Sequence, residues 1–368
     1  MPRVTEDSLQ AFTEELLIGL DTPAEIATAV SDSLVTADLR GHSSHGVRQI
    51  VSKYVDGMEE GRIDTSATPA ITDEGSTWAQ VDGRLAYGQA AARFATDVAV
   101  EKAEDHGVGV VGLNHVSHIG RVGEFAERAC ASGMAMLVFV CNPASAWVAP
   151  PGSAQRRFST NPIAIGVPTF DALPFPMVAD VSTAQVAHGK IKERAVSDEP
   201  LPENWAVRGD GESLTDGRAF EEEGEGAMLP LGGRTAGYKG FALAMMSELL
   251  ASNVTDGDIS GMDDPMWGNH VAFIALDLER FTTRERMAER VSSLAEYVRD
   301  SEYSDDIEIA EQAGGDHALL PGEPEFQATE RHRREGVPFS DADAADLGAL
   351  ATRVGVDEDA IPDAFRGK

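Results

Sequence analysis

Residues 38–49 read DLRGHSSHGVRQ, a stretch that gathers two imidazoles (His42, His45), two hydroxyls (Ser43, Ser44), two guanidiniums (Arg40, Arg48), one carboxylate (Asp38) and two glycines. Such a set suits proton transfer. A ketone that gains a hydride needs a proton on its oxygen as charge develops there, and histidine, with an ordinary pKa of about 6.5, is matched to that task at neutral pH. His45 is the candidate proton carrier, and Ser44 beside it could hold the imidazole tautomer or relay the proton. An acidic substrate needs cations nearby, for which Arg40, Arg48, Arg121 and Lys190 are candidates, because guanidinium binds carboxylate through paired hydrogen bonds. The bland alternative is that Ser44 and His45 only cap a helix, serine being a favoured cap residue.

A second pair, His115 and His118, repeats the spacing of His42 and His45. A metal-dependent hydrolase would draw ligands from both pairs, since imidazole suits zinc or iron. The pattern lacks the glutamate of H-E-x-x-H and no cysteine joins it, so no metal is expected. Residues 107–112, GVGVVG, match the G-x-G-x-x-G dinucleotide pattern in letters only. That fingerprint needs a strand before it and a helix starting within it, whereas here a helical run precedes and the glycines lie in the strand.

The elements that must position these residues follow from periodicity. Apolar residues at Leu9, Phe12, Leu16, Leu17 and Leu20 predict a helix over 6–20, and Thr22-Pro23 restarts a second through Ile26, Val30 and Leu34. A third runs from Val51 to Met58 and ends before Gly61. Pro69 and the turn at 73–76 mark a boundary, after which strands alternate with helices. Helices are predicted over 90–106 and 121–132, and buried strands over 108–113, 134–140, 163–167, 177–181 and 271–276. Residues 150–153 and 195–216 read as loops, and 284–298 as a late helix. This is an α/β architecture with a sheet covered on both faces.

Charge narrows the partners. A formal net charge of −32 and a pI near 4.5 argue against nucleic acid or an anionic membrane. The acids are scattered along a chain that is 42% hydrophobic, which describes a folded protein with a carboxylate-rich surface. A salt-rich cytoplasm would screen the self-repulsion, so the melting temperature is expected to rise from dilute to multimolar salt; an unchanged melting curve would contradict this halophilic reading. Two cysteines, a polar N-terminus and no apolar run of about 20 residues predict a soluble, cytoplasmic protein.

Six blocks now fall into one order: residues 38–47 (DLRGHSSHGV), 114–123 (NHVSHIGRVG), 159–164 (STNPIA), 188–191 (HGKI), 237–243 (GYKGFAL) and 320–323 (LPGE). Together they resemble the malate/L-lactate dehydrogenase-like oxidoreductases, a group distinct from the Rossmann-type dehydrogenases of the same names. The resemblance implies an NAD- or NADP-dependent enzyme that interconverts a small 2-hydroxy acid and a 2-keto acid. Relatives act on malate, lactate, sulfolactate, ureidoglycolate, diketogulonate or cyclic imino acids. It also implies a helical domain formed by both chain ends (1–75 with 280–368), a mixed α/β domain (76–279) with a non-Rossmann NAD(P)-binding site, and a homodimer.

Carried over by position, His45 matches the proton donor and Ser44 its hydroxyl partner, while His118 is a second acid/base candidate. His118, Ile119, Gly120 and Arg121 match a cofactor-contacting loop, Asp180, Val181 and Ser182 a cofactor segment, Lys239 the lysine of a glycine-rich helix start, and Gly322 and Glu323 a late cofactor loop. Arg48, Thr160 and Lys190 are the expected substrate contacts. Two departures stand out. Many relatives carry an arginine four residues after the proton-donor histidine, where this chain has Gln49 with Arg48 one earlier. Lys190 stands where imine-reducing relatives carry an acid.

Overall fold

The computed structural model describes residues 1–304 and 317–366. Most of the acidic 300–315 stretch lies outside them. Helix α1 (Glu6–Gly19) starts at Thr5, whose hydroxyl accepts the Ser8 N–H, and carries Glu6 and Asp7 in the first turn, where they favour the positive end of the helix dipole. Helix α2 (Ala24–Leu39) follows Pro23. The predicted third helix opens as a π turn (Ile50–Tyr54) and continues as α3 (Val55–Glu59). These pack with α10 (Glu323–Glu335) and α11 (Asp341–Val354) around Leu9, Phe12, Leu34, Ile50, Tyr54, Leu347 and Phe365. Strand β1 (Arg3–Val4) pairs with β11 (Val337–Pro338), tying the two chain ends into one helical unit.

The second unit is a seven-stranded mixed sheet in the order β2-β3-β4-β10-β5-β6-β7. Its strands are β2 (Ala70–Glu74), β3 (Trp78–Asp82), β4 (Val108–Val116), β5 (Ala135–Cys141), β6 (Ile163–Val167), β7 (Met177–Val181) and β10 (Asn269–Leu276). Only β3 and β4 run parallel; every other neighbouring pair is antiparallel. The turn at 73–76 therefore joins two strands of this sheet. Strand β2 gave no apolar signal because it is an exposed edge.

Helices α4 (Gly88–His106) and α5 (Gly123–Ala131) cover one face and α8 (Gly233–Thr255) the other. Glycines 109 and 112 explain the misleading dinucleotide pattern. Being of opposite parity on β4, they face opposite sides of the sheet. A Cβ on Gly109 would sit 2.0 Å from the Ala99 carbonyl oxygen of α4, and one on Gly112 2.6 Å from the Val254 carbonyl oxygen of α8. They let helices approach closely and hold no phosphate.

Residues 195–216 are less loop-like than predicted: α6 (His188–Ser197) runs into them, and the short strand β8 (Ala206–Val207) pairs with β9 (Ala227–Met228). A small helix, α7 (Gly217–Glu221), and α9 (Arg284–Arg299) complete the described elements used below. Cys130 and Cys141 are buried thiols. No helix among the described residues is long and apolar enough to cross a membrane.

Candidate active site

Strand direction brings the chemistry to one end of the sheet. Strands β4, β5 and β7 finish there and β6 and β10 begin there, so segments 117–121, 142–147, 159–161, 182–189 and 267–269 emerge together. The 38–60 stretch of the helical unit faces them across a cleft of about 990 Å³. Small-molecule pockets span roughly 300–1,000 Å³, so this one has room for a small acid together with a larger ligand.

Ser43, Ser44 and His45 form a single 3-10 turn held from beneath by Asp38, whose carboxylate accepts the Val47 N–H at 2.8 Å. Gly46 is required there: an added Cβ would lie 1.9 Å from Asp38 Oδ1. Burial pushes the Asp38 carboxyl up to about 7, against the opposing effects of the Val47 N–H and of Arg48. Gln49 Nε2 donates to the Ser44 carbonyl and so braces the turn.

Ser44 Oγ and His45 Nδ1 are hydrogen bonded at 2.9 Å. The His45 ring lies over that of His118 with centroids 5.5 Å apart and planes 27° from parallel. Enclosure in the cleft pushes His45 down to about 3, reinforced by the charges of Lys53, His42, Arg121 and Arg48. His118 is held well below its ordinary value by burial and then by Lys53 and His45. Both rings are therefore neutral at pH 7.

Hydrogen bonding separates their roles. The Gly120 N–H donates to His118 Nδ1 at 3.2 Å, so the neutral His118 ring carries its proton on Nε2 and acts as a donor. The loop itself is fixed by Asn269, whose Oδ1 accepts the Ile119 N–H at 3.0 Å. Only His45, partnered by a hydroxyl that can accept as well as donate, is free to expose an imidazole lone pair. The other two histidines turn away: His42 pairs with Glu325 at 3.1 Å and His115 with Asp82 at 3.3 Å. The two histidine pairs thus do not converge as a metal centre would require.

The cations sort differently from their order in sequence. Arg48 lines the cleft but is paired with Glu193 at 3.1 Å and lies 3.9 Å from Asp343. Thr160 lines the cleft, and its carbonyl accepts from the Thr183 hydroxyl at 2.8 Å. Lys190 is exposed and absent from the lining, whereas Gly189, Lys192, Glu193 and Val196 of α6 form the face that looks inward. Lys53 and Lys192, both missed in the sequence, line the cleft. Burial, with Lys192 and Arg48 nearby, pushes Lys53 down to about 8.

A second cluster adjoins the histidines. Arg121 is 3% exposed and pairs with Glu127 at 2.5 Å, and Arg40 reaches the same carboxylate at 2.9 Å. Asp180 accepts the Gly123 N–H at 2.7 Å, and burial holds its carboxyl above the usual range in spite of Arg121. Arg121 Nε and Nη1 are buried without a hydrogen-bond partner among the described residues, an open donor set that suits an anionic group such as a phosphate. Gly322, at φ +90°, starts α10 against the Pro176 carbonyl, and Glu323 accepts the Leu320 N–H at 3.0 Å while pairing with Arg299. Ser182 Oγ accepts the Ala184 N–H at 3.0 Å, Val181 is exposed, and Lys239 is exposed on α8 beyond the cleft lining. The 118–123 segment and Asp180 thus meet, Gly322 and Glu323 sit at the opposite end of β7, and Lys239 stands apart.

With this geometry in view, comparison with known proteins decides the family. Residues 4–348 match the family model described as malate/L-lactate dehydrogenase. The chain belongs to that family. It is 32% identical to a malate dehydrogenase from Pyrococcus abyssi, covering 96% of this chain and 95% of that one. It is 30% identical to an L-sulfolactate dehydrogenase from Methanothermobacter thermautotrophicus, over 92% and 93% of the two chains. The solved structure of malate dehydrogenase from Pyrococcus horikoshii superposes with a TM-score of 0.83 at 30% identity, covering 97% of this chain and 96% of the other. The protein is an oxidoreductase of the hydroxy acid dehydrogenase type.

Proposed function

We propose that the protein is an NAD(P)-dependent dehydrogenase of a small 2-hydroxy acid of the malate or lactate type, with His45 as the proton acceptor in oxidation and the donor in reduction. The observation that carries this reading is the pair of neutral, stacked imidazoles with complementary hydrogen-bond roles, with Lys53 and Lys192 in the same cleft. The nicotinamide cofactor supplies the hydride or takes it up. Segments 118–121 and 180–182 are the residues suited to hold it, with the open donors of Arg121 available to its phosphates and Gly322, Glu323 and Lys239 as outlying contacts.

In oxidation, Ser44 Oγ accepts from His45 Nδ1–H, leaving the Nε2 lone pair to take the hydroxyl proton of the substrate. His118 Nε2–H steadies the same oxygen. Arg48, Lys53, Lys192 and Thr160 face the acid end. Burial is the main cause that keeps His45 neutral, and an entering carboxylate cancels part of the positive field that adds to it, which raises the affinity of His45 for the proton it receives. A panel of 2-keto acids assayed at 340 nm with NADH and NADPH in high salt tests the reading. Absorbance loss with at least one keto acid supports it, and a flat trace throughout, with wild-type protein shown to be folded, contradicts it.

The apolar face of α8 supports a homodimer. Tyr238, Leu243, Met246, Leu249 and Leu250 are exposed, and the one acid of this helix, Glu248, is buried against Asn161. In a chain with 62 acidic residues, an acid-free apolar patch is where two copies meet at least electrostatic cost. Met246→Glu with Leu250→Glu is expected to convert a dimer to a 39.1 kDa monomer in light scattering; an unchanged mass would refute that interface.

A further inference from the structure

Three cations at or near the cleft are poorly placed to hold a carboxylate. Arg48 already serves two carboxylates, Glu193 and Asp343. Lys190 is exposed on the wrong face of α6, and Lys192, though on the right face, is exposed at the cleft wall. Lys53 differs from all three. It is half-buried, it lines the cleft, and it makes no ion pair or hydrogen bond among the described residues.

It sits in an unusual element. Residues 50–54 form a π turn, closed by the Val55 N–H to the Ile50 carbonyl. Such a turn adds one residue to the helical ladder and shifts the face taken by the side chains that follow; short π segments are poor helix and persist mostly at functional sites. Here Gln49, Ser52, Lys53 and Asp56 all reach the cleft. Lys53 acts on both His45 and His118, and on His45 it outweighs Arg48 and Arg121. An unpaired ammonium beside two neutral imidazoles is a site in want of an anion.

We propose that Lys53, unpaired in the cleft beside His45 and His118, is the residue that positions the carboxylate of the substrate. This assignment rests on the proposed dehydrogenase reading, which makes the substrate an acid. Lys53 binds and orients the carboxylate next to the carbon under reaction; it takes no proton in the reaction, so it is a positioning and specificity residue.

The test uses the full-length protein and its Lys53→Met, Lys53→Arg and Arg48→Met variants. With the best keto acid, Lys53→Met is expected to raise substrate KM by about 10- to 100-fold, the cost of one lost charge-assisted hydrogen bond. Cofactor KM stays constant, kcat changes by less than about threefold as expected for uniform binding, and Lys53→Arg recovers most of the loss. A larger KM effect from Arg48→Met than from Lys53→Met, or a Lys53→Met substrate KM within twofold of wild type, overturns the assignment. Oxalate binding by calorimetry provides an arm that needs no turnover: weaker binding by Lys53→Met supports the role, whereas equal binding, or none by the wild type, contradicts it. Absent turnover with intact Lys53-dependent oxalate binding would sink the dehydrogenase reading while leaving Lys53 as the anion contact.

Discussion

His45→Ala is expected to lower kcat by about 10²- to 10⁴-fold, the range for losing a general acid–base group, with little change in cofactor KM. The neighbouring His118 does not rescue the variant, because its Nδ1 is occupied by the Gly120 N–H and its Nε2 already carries a proton. The pH dependence gives the sign. His45 is pushed down to about 3, so it remains neutral at any higher pH and is ready to accept a proton. Oxidation kcat/KM should therefore lack the acid limb at about 6.5 that an unperturbed histidine gives. Reduction needs the imidazolium instead and should slow steadily as pH rises. An acid limb near 6.5 in wild-type oxidation would contradict the depressed value of His45, and a His45→Ala enzyme within tenfold of wild type would contradict its role.

Gly46→Ala should be strongly damaging to the turn that carries His45. Its Cβ would fall 1.9 Å from Asp38 Oδ1 and 2.1 Å from Asp38 Cγ, and the carboxylate is pinned by the Val47 N–H and packed in the interior. Either Asp38 leaves the turn or the 43–45 segment moves. Overpacking of this kind costs about 1–3 kcal/mol, and a displacement of about 1 Å at a reacting group is worth roughly 10²-fold in rate. Denaturant melts should show the loss of stability, and kinetics should show kcat falling while cofactor KM holds. Gly46→Ala turning over at the wild-type rate would mean that Asp38 does not set the position of His45.

Much of this was legible in the sequence because it is local. The 38–49 stretch is contiguous, so one turn carries the whole Asp38–Ser44–His45 unit. Strands β4, β5, β6, β7 and β10 were readable as short buried runs. What sequence could not resolve was phase. Lys190 and Lys192 lie two residues apart on α6, about 200° around a helix, and only the fold shows that Lys192 faces the cleft. Lys53 was hidden for the same reason: periodicity predicts a helix over 51–58 but does not say which of its polar residues face the cleft. The edge strand β2 was missed because exposure removes alternation, and the sharing of Glu127 by Arg121 and Arg40 joins residues far apart in sequence.

The central claim is that hydrogen passes directly between the cofactor and C2 of the acid while the oxygen proton is handled by His45. Reduction of a 2-keto acid with NADH or NADPH carrying deuterium at C4 of the nicotinamide, on the face the enzyme uses, tests it in one measurement. Mass spectrometry and proton NMR of the product are expected to show deuterium at C2 of the hydroxy acid and none from solvent at that carbon. Product with protium at C2 when either face of the cofactor is labelled, or C2 deuterium acquired from heavy water, would contradict the account.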